Sequence, residues 1–400
     1  MKIVHLTDYF QPKLGYQEYY LAKEQLHCGH DVFVVTSERH FPFPDYDEYM
    51  KSVLENRIIK AGEFIEEGIK VIRLNVIFEI YHRVWLSKLY ATIRKLHPDV
   101  VHMHNCGNIS ALRISLIKRK LDFNLLCDEH SHLSIMRKRN FMKRIIARIQ
   151  KIVIRNVLKN ADSFVAIAPD VKNVMIDIYG LPKNRINIIP LGVDTNLFHF
   201  CERSRNEIRQ KFGIGENISV IVYAGKIIPD KGPHILVKAV LSILRNRKFD
   251  LKVVLIGDGN RNYIEPIKKE IELSKFDSFF IWHKFVDKTE LYKFYSAADV
   301  GVWPLEESIG MLEASACKLP IIVKDSESLR DRLSFGNGIA YHEGDIESLK
   351  SAILKLVGNK GIRWKMGERA FDLVKEKYSW EKISKDFVKL YGRPTSLIER

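Results

Sequence analysis

The sequence has few cysteines and no closely spaced pair of them. Its five cysteines (Cys28, Cys106, Cys127, Cys201 and Cys317) are scattered along 400 residues, odd in number and without a C-x-x-C pair. This pattern fits a reducing compartment and argues against a disulfide framework or a structural zinc site.

Long apolar runs are also missing. No run reaches the roughly 20 residues that a membrane span needs, and even the stretch KIVIRNVL is broken by Arg155. The first residues, MKIVHLTDYF, run straight into a strand pattern, so we expect no signal peptide. We expect a cytoplasmic protein that is either soluble or peripheral on the inner face of the cell membrane.

Acidic residues are scarce in one part of the chain. The net charge is +15, and residues 80–160 hold seventeen Lys and Arg against four Asp and Glu. The densest part, 136–160, has nine basic residues, none acidic, and apolar positions at helical spacing. Two interpretations fit this segment. It is either a solvated basic helix or a helix that lies on an anionic membrane, where each basic residue contributes about 1 kcal/mol to binding. We favour the membrane, and expect no nucleic acid because only Phe141 is aromatic there.

Short apolar runs alternate with helix-like segments along most of the chain. Such runs are typical of strands buried on both faces of a parallel sheet, and the alternation predicts a doubly wound α/β architecture. The stretches KIVHLTDYFQPKLG and SVIVYAGKIIPDKG start two similar halves. We therefore predict two Rossmann-like domains facing across a cleft, at 1–195 and 196–377, and a C-terminal helix at 378–400.

The loop AGKIIPDKG carries Lys226 and Lys231 on either side of a turn that ends at a helix N-terminus. Two ammonium groups, free backbone N–H groups and a helix dipole favour a diphosphate. Two exposed lysines beside a tight turn are an equally good interpretation of this loop alone. The Walker A spacing is absent, and GDGNRN at 257–262 is too weak a fingerprint to predict NAD.

The stretch VWPLEESIGMLEASACKLPIIV, 302–323, places polar residues between two apolar strands. Ser308 and Gly310 fall where a helix begins, and small residues there let backbone N–H groups approach a phosphate. Glu313 lies one turn later within a run that is predicted to be buried, where a carboxylate can accept both hydroxyls of a ribose. Glu306 or Glu307 is placed to hold sugar hydroxyls, or simply to favour the helix N-terminus.

The order of these motifs resembles the retaining glycosyltransferases of family 4, which have the GT-B fold. The resemblance covers nearly the whole chain and is carried by FQPKLGYQEYYLAKEQLHCGHDVFVVTS, INIIPLGVDTNLF, YAGKIIPDKG, LKVVLIGDGN, ELYKFYSAADVGVWP and the closing YSW helix. In this family the final helix crosses back onto the first domain.

The resemblance implies a role for each matching residue. Lys226 and Lys231 neutralise the leaving diphosphate, Gly15 approaches it from the first domain, Glu313 holds the ribose and His130 contacts the donor sugar. No metal or other cofactor is expected, and the charge that develops on the phosphate is stabilised by the lysines. The predicted catalytic residues are His130, Lys226, Lys231 and Glu307, and the predicted donor-binding residues are Gly15, Gly225, Lys226, Lys231, Gly257, Lys284, Phe285, Glu306, Ser308, Ile309, Gly310 and Glu313.

Three positions depart from the family pattern. Six residues separate Glu306 from Glu313 and five separate Glu307 from it, where seven are usual, so either glutamate or Ser308 is a candidate for the sugar contact. Tyr16 follows Gly15 where many members have a second glycine, so the phosphate approach rests on Gly15. Lys284 stands where a glycine is common, near the expected position of the base.

The remaining polar clusters leave alternatives open. His102 and His104 end a predicted strand. Their side chains could contact the sugar or the acceptor, and a structural hydrogen-bonding role is an equally good interpretation of either. With Asp128, Glu129, His130 and His132 nearby in the predicted fold, a metal site is conceivable, yet the resemblance argues against it and no spacing requires it. The aromatic loop 41–50 is a candidate acceptor contact or a plain surface loop.

We therefore predict a retaining glycosyltransferase that moves a sugar from a nucleotide-diphosphate sugar to a hydroxyl of a lipid-linked or membrane-presented glycan. A sugar-nucleotide 2-epimerase of GT-B fold would have the same domains and no acceptor. A non-catalytic basic protein that binds membranes or nucleic acid is the third possibility, and it leaves Lys226, Lys231 and Glu313 unexplained.

Overall fold

The structure is a computed structural model that describes residues 1–43, 46–80, 82–131, 153–246 and 250–392. The chain forms two units: unit 1 comprises Met1–Leu191 and Ile383–Arg400, and unit 2 comprises Gly192–Lys382. The boundaries after residues 191 and 382 differ by a few residues from those expected after 195 and 377. The C-terminal segment from Ile383 is counted with the first domain.

The strands of unit 1 are β1 Lys2–Leu6, β2 Asp31–Ser37, β3 Gly62–Glu66, β4 Ile69–Leu74, β5 Val76–Ile80, β6 Arg83–Leu86, β7 Val100–Met103, β8 Asn124–Glu129, β9 Ser163–Ala166 and β10 Ile186–Ile188. Eight of them form one sheet in the order β10-β9-β8-β7-β1-β2-β4-β3, in which all neighbours are parallel except β3 and β4. The other two, β5 and β6, form a separate antiparallel sheet.

Helices connect these strands. Those of unit 1 are α1 Gln17–His27, α2 Tyr46–Tyr49, α3 Lys51–Leu54, α4 Leu89–Leu96, α5 Ile109–Ile117, α6 at 153–160 and α7 Pro169–Asn173. Short 3₁₀ turns lie at Pro12–Leu14 and Lys183–Arg185, and a π-helical turn at Val174–Ile178 follows α7. The core of unit 1 lies between the sheet and these helices, with buried aliphatic residues from β1, β7, β8 and α5.

Unit 2 is built on a six-stranded parallel sheet in the order β13-β12-β11-β14-β15-β16. Its strands are β11 Ser219–Ala224, β12 Leu251–Ile256, β13 Phe280–His283, β14 Val300–Trp303, β15 Ile321–Lys324 and β16 Gly338–Tyr341. All six residues of β11 and all four of β14 are buried, because helices cover both faces of the sheet.

The helices of unit 2 alternate with its strands. They are α8 Glu202–Lys211, α9 Pro233–Arg245, α10 Arg261–Leu273, α11 Lys288–Ala297, α12 Gly310–Ala316, α13 Glu327–Arg330, α14 Ile346–Val357 and α15 Lys360–Leu373, and α16 Trp380–Tyr391 continues from unit 2 into the C-terminal segment of unit 1. Short turns lie at Pro229–Lys231, Asp277–Phe279, Asp331–Leu333 and Val374–Tyr378. Each unit is a doubly wound α/β sheet, as the alternation predicted.

Part of the predicted membrane-binding segment cannot be compared with the structure. Residues 136–152 of the basic stretch 136–160 lie outside the described residues. Within the described ranges, each helix is too short or too polar to span a bilayer.

Candidate functional site

In unit 2, glycines line the edge of the sheet where the strands end. Gly225 follows β11 with φ 152° and Gly257 follows β12 with φ 144°, conformations that favour glycine. A Cβ atom on Gly257 would lie 1.9 Å from the carbonyl oxygen of Gly225, so the two backbones are in direct contact. The glycines let the loops after β11 and β12 pack together at the carboxyl ends of the strands, which is where α/β sheets bind ligands.

Lys231 sits at the end of the turn that precedes α9. Gly232, with φ 71°, links the two, and Pro233 begins the helix. The Lys231 ammonium group donates a hydrogen bond to the backbone oxygen of Glu307 and lies 3.9 Å from the carboxylate of Glu306. Burial, together with the like charge of Lys226, lowers the pKa of Lys231. The two lysines are thus near each other at a helix N-terminus, and Lys226 is exposed.

The two adjacent glutamates have different surroundings. The carboxylate of Glu307 accepts hydrogen bonds from the guanidinium of Arg332, with Nε at 2.8 Å, and that guanidinium also stacks 4.4 Å from the ring centre of Tyr378. The side chain of Glu306 is 46% exposed. Of the two glutamates predicted for the sugar contact, Glu306 has the more accessible carboxylate. Arg332 was not predicted, because it is distant from Glu307 in sequence.

Glu313 is a buried carboxyl group with almost no hydrogen-bond partner. It lies one turn into α12, only 5% exposed, and the Tyr295 hydroxyl, 3.5 Å away, is its sole hydrogen-bond donor among the described residues. Burial raises the pKa of Glu313 to about 7, and Lys288 opposes this shift without cancelling it. A buried polar group that is left so poorly satisfied is unusual in a folded protein.

The other residues predicted for donor binding surround α12 or follow β13. Ser308 Oγ accepts a 3.3 Å hydrogen bond from the backbone N–H of Gly310, the first residue of α12. Ile309 is exposed next to them. Lys284 and Phe285 follow β13, and the Phe285 side chain is 81% exposed.

Gly15 lies in unit 1, at the start of the first helix. It adopts φ 64°, and its N–H closes the 3₁₀ turn by donating to Pro12 at 2.9 Å. Tyr16 follows with an ordinary extended backbone and precedes α1. Positive φ is therefore required only at Gly15 of this pair, as the sequence suggested.

Asp128, near the end of β8, accepts hydrogen bonds from several side chains and one backbone group. It is fully buried, and its oxygens are contacted by Nδ1 of His104 (2.7 Å), Nε2 of His102 (3.1 Å), Nε2 of Gln17 (3.1 Å), the backbone N–H of Asn105 (2.9 Å) and Nε2 of His130 (3.4 Å). Burial alone would raise the pKa of Asp128, but His104, His130 and the hydrogen bonds hold it well below its usual range. This carboxylate is ionised at neutral pH.

His130 differs from the two histidines before it. Its side chain is 30% exposed, and although burial alone would lower its pKa, the charges of Asp128, Glu129 and Glu18 raise it above the ordinary value. His102 is fully buried, and burial together with His104 lowers its pKa to about 4. His102 and His104 thus both make structural hydrogen bonds, and His104 also faces a pocket.

That pocket, of about 520 Å³, lies within unit 1 beside the ends of β1 and β8. Its wall includes charged side chains, amides and aromatic rings, among them Asp8, Gln11, Gln17, Glu18, Phe41, Phe43, Arg83, His104, Glu129 and His130. Asp8 Oδ2, Gln11 Nε2 and Gln17 Oε1 are buried and have no hydrogen-bond partner among the described residues. Burial raises the pKa of Asp8 to about 6, although Ser110 donates to its other oxygen at 2.6 Å. Asp8 was not predicted, although its place directly after β1 was a usable signal.

Nitrogen and oxygen atoms that can ligate metals also lie close together here. The ring nitrogens of His5, His102 and His104 are within 4.8 Å of one another, as are single atoms of His104, Asp128 and His130. Both nitrogens of His5, His102 and His104 take part in hydrogen bonds with one another or with Gln25, Tyr391 and Asp128. We therefore describe them as hydrogen-bonding residues and assign no metal ligands.

Two family models match the chain. The model of glycosyltransferase family 4 matches residues 18–197, and the model of glycosyl transferases group 1 matches residues 204–372. A glycosyltransferase of Methanocaldococcus jannaschii whose function is uncharacterised is 22% identical over 98% of both chains. The D-inositol 3-phosphate glycosyltransferase of Kineococcus radiotolerans is 26% identical over 60% of this chain and 59% of its own.

The solved structures show the fold. HepE of Anabaena, solved in complex with UDP, has a TM-score of 0.71 at 15% identity and covers 97% of this chain and 99% of its own. Sucrose-phosphate synthase of Thermosynechococcus elongatus has a TM-score of 0.69 at 18% identity and covers 98% of both chains. The two doubly wound units and the similarity to these solved structures show that the protein has the GT-B fold. Together the two models, glycosyltransferase family 4 and glycosyl transferases group 1, cover most of the chain, which therefore belongs to the glycosyltransferases that they describe.

Proposed function

We propose that the protein transfers a sugar, with retention and without a metal, from a nucleotide-diphosphate sugar held by unit 2. The observation that carries this proposal is Glu313, a buried carboxyl group whose only described donor is a hydroxyl at 3.5 Å. A ribose supplies two adjacent hydroxyl donors, which would satisfy both oxygens of such a group. The structural neighbour HepE, which was solved with UDP and with UDP-glucose, supports the choice of a nucleotide sugar.

The diphosphate would be bound beside the same sheet edge. Lys226, Lys231 and the N-terminus of α9 supply positive charge there. As the bond between sugar and phosphate breaks, negative charge grows on the leaving diphosphate, and these groups stabilise it. In a retaining reaction the acceptor oxygen attacks the same face of the sugar that the phosphate leaves, and a phosphate oxygen takes the proton of the acceptor hydroxyl.

Glu306 is the better candidate for the sugar hydroxyls. Its carboxylate is half exposed, whereas that of Glu307 is held by Arg332. We therefore assign Glu307 a supporting role: its backbone oxygen and its ion pair with Arg332 hold the loop that carries Glu306 and Ser308.

The acceptor would bind in the pocket of unit 1. Asp8 Oδ2 and Gln17 Oε1 are unpaired acceptors and Gln11 Nε2 is an unpaired donor, which suits a ligand rich in hydroxyl groups. Phe41 and Phe43 add apolar ring faces. Because residues 80–160 are strongly basic, we propose a glycan presented on a lipid at an anionic membrane surface.

Binding of nucleotides to the wild-type protein tests the proposal. Isothermal titration with UDP, GDP and ADP, with and without EDTA, should give saturable binding for one base that EDTA leaves unchanged. Because a carboxylate binds hydroxyl donors better than a carboxylic acid does, the affinity should rise between pH 6 and pH 8, the range around the Glu313 pKa of about 7.

Glu313→Gln should weaken binding about ten- to a hundredfold and abolish the pH dependence, as expected for a charged hydrogen bond worth about 1.5–3 kcal/mol. Glu343→Gln is the matched control, because this exposed carboxylate of unit 2 pairs only with Lys324 among the described residues. If no nucleotide binds to the wild type, or if Glu313→Gln binds as the wild type does, the proposal is wrong. Consumption of the donor without an acceptor product would indicate an epimerase instead.

A further inference from the structure

Six side chains in the interior of unit 1 are joined in a closed loop of hydrogen bonds. They come from β1, α1, β7, the residue after β7, β8 and α16, and we call them the buried circuit: His5, Gln25, His102, His104, Asp128 and Tyr391. Every member is at most 3% exposed. The loop begins and ends at the same atom, Oδ2 of Asp128.

The circuit contains six hydrogen bonds of ordinary length. Around the loop they join Asp128 Oδ2 to His104 Nδ1 (2.7 Å), His104 Nε2 to His5 Nδ1 (3.0 Å), His5 Nε2 to Gln25 Oε1 (2.8 Å), Gln25 Nε2 to the Tyr391 hydroxyl (3.1 Å), that hydroxyl to His102 Nδ1 (2.8 Å), and His102 Nε2 back to Asp128 Oδ2 (3.1 Å).

Each hydrogen bond needs one proton between its two atoms, and the neutral groups supply too few. A neutral histidine carries one ring proton, so the three histidines supply one each. The tyrosine hydroxyl supplies one, and the amide supplies one because it donates to one neighbour and accepts from the other. An ionised aspartate supplies none. Five protons are therefore available for six hydrogen bonds.

We propose that the buried circuit holds one additional proton and that His104 carries it as an imidazolium. The circuit is then electrically neutral, since the proton balances the carboxylate of Asp128. Tyr391 and Gln25 are positioning residues in this arrangement: they do not line the pocket, yet they fix the protonation state of His104, which does.

The direction of the bonds selects His104. Gln25 presents Oε1 to His5, so His5 donates through Nε2. Burial, with His104 and His102 nearby, holds the pKa of His5 well below its ordinary value, so His5 is neutral and accepts through Nδ1. His104 must then donate to His5 and also to Asp128, which requires a proton on both nitrogens. His102 donates only to Asp128 and accepts from Tyr391, so it is neutral, in line with the lowered pKa of this buried side chain.

Two further observations agree with a cation at His104. Its hydrogen bond to Asp128, 2.7 Å, is the shortest of the circuit, as expected for a pair of opposite charges. Asp128 stays ionised, because Gln17 and the backbone of Asn105 also donate to its oxygens and, with the neighbouring histidines, hold its pKa well below the usual range.

Other charged groups lie around the circuit. On the pocket side these are Glu18 of α1, Glu129 of β8 and the partly exposed His130. Glu18 and Glu129 are acidic, so they favour a cation at His104. Arg83 and His130 of the pocket wall are basic. The consequence is a further positive charge in the wall of a pocket that also holds Asp8, Glu18 and Glu129, placed there by hydrogen bonds that reach back to the C-terminal helix. This inference does not depend on which sugar or acceptor the protein uses.

Nitrogen-15 NMR of the histidine side chains in the full-length protein tests the proposal without any ligand. The correlation of each ring nitrogen with its ring protons shows whether one or both nitrogens carry a proton. At pH 7.5, His104 should be doubly protonated and His5 and His102 singly protonated, with signals assigned through the backbone so that His130 is distinguished.

Two variants change the proton count in opposite directions. Tyr391→Phe removes two of the six hydrogen bonds. If the Gln25 amide then rotates so that it donates to His5, neutral side chains can form the four hydrogen bonds that remain. His104 should therefore lose its second proton. Gln25→Glu removes a donor from the circuit, so a second histidine should become doubly protonated. Phe387→Leu is the matched control on α16: it removes packing against His102, 4.9 Å between ring centres, but no hydrogen bond, and His104 should stay doubly protonated.

Three results would overturn the proposal. The first is a singly protonated His104 in the wild type, which needs no variant to fold. The second is a doubly protonated His102 beside a neutral His104. The third is an equal loss of the signal in Phe387→Leu and Tyr391→Phe, which would show that packing, and not the number of protons, determines the state of His104.

Discussion

Each unit of the protein buries a carboxyl group, and the two groups are treated in opposite ways. Asp128 in unit 1 is surrounded by hydrogen-bond donors, and its pKa is held well below the usual range. Glu313 in unit 2 has one distant donor, the Tyr295 hydroxyl, and burial raises its pKa to about 7. Burial is similar in the two cases, so the number of partners decides which carboxyl group is charged.

Asp128 is therefore a charged group with a structural role, whereas we propose that Glu313 obtains its hydrogen-bond donors from a bound ligand. The donors of Asp128 belong to the fold, and their loss would leave an uncompensated charge in the interior. The donors that Glu313 lacks can come from a bound molecule, so the folded protein carries the cost of an unsatisfied group until that molecule arrives. Four substitutions test this comparison, from the largest expected effect to the smallest.

Asp128→Asn should destabilise the protein by about 3–5 kcal/mol, because it leaves the charged side of a buried pair without its partner. The contribution of Asp128 is complete above the ordinary aspartate pKa of about 3.9 and declines as the pH falls through the depressed value in the folded state. Urea unfolding at pH 7 measures the change. Asp31→Asn, which breaks an exposed pair with Lys70, should cost at most about 1 kcal/mol, and an equal cost for both variants would contradict the comparison.

Glu313→Gln should have the opposite sign. The rise of the pKa from 4.5 to about 7 corresponds to about 3 kcal/mol of stability that is lost as the pH rises through this range, because the folded state disfavours the ionised form. The variant should therefore be about 2–3 kcal/mol more stable than the wild type at pH 8 and equal to it at pH 4. Thermal unfolding of the ligand-free proteins at both pH values checks this, and a destabilised variant at pH 8 would refute it.

Gln17→Met removes one donor from Asp128 while keeping the length of the side chain. The bond is 3.1 Å long and buried, so we expect a loss of about 1 kcal/mol at pH 7. The remaining donors should keep Asp128 ionised. A loss as large as that of Asp128→Asn in urea unfolding would show that the donors act as one unit and are not additive.

Tyr295→Phe removes the only described donor to Glu313. Because the hydroxyl lies 3.5 Å from the carboxyl oxygen, we expect a change in stability of less than about 0.5 kcal/mol and a further rise in the pKa of Glu313. Carbon-13 NMR of the glutamate carboxyl groups measures that pKa. A fall in the pKa would mean that the hydroxyl stabilises the protonated form.

Most strands of the two main sheets were predictable from sequence, whereas three strands of unit 1 were not. Every predicted apolar run forms a strand, because buried parallel strands are recognised by composition alone. Strands β3, β5 and β6 were not predicted: exposed residues interrupt the apolar patterns of β3 and β5, and β6 is only four residues long. The predicted helix start at Gly310 and the burial of Glu313 are confirmed.

The contacts that define the two carboxyl groups could not be predicted, because they depend on the register of distant segments. His5 and His102 are neighbours only because β1 and β7 pair in that register, and Gln25 and Tyr391 come from two helices at opposite ends of the chain. Likewise, the pair of Arg332 with Glu307 depends on how α13 and the turn after it return to the loop before α12. The assigned roles of the site residues remain predictions.

The closure of the buried circuit by Tyr391 also bears on how the protein is made. Tyr391 is hydrogen-bonded to His102, to Gln25 and, through its backbone oxygen, to Asn124, all of unit 1. During synthesis the ribosome releases the first part of unit 1, then the whole of unit 2, and only then this tyrosine. Domains ordinarily fold in the order in which they emerge. Here unit 1, although its first part emerges before unit 2, can complete its interior only after the whole of unit 2 has been synthesised.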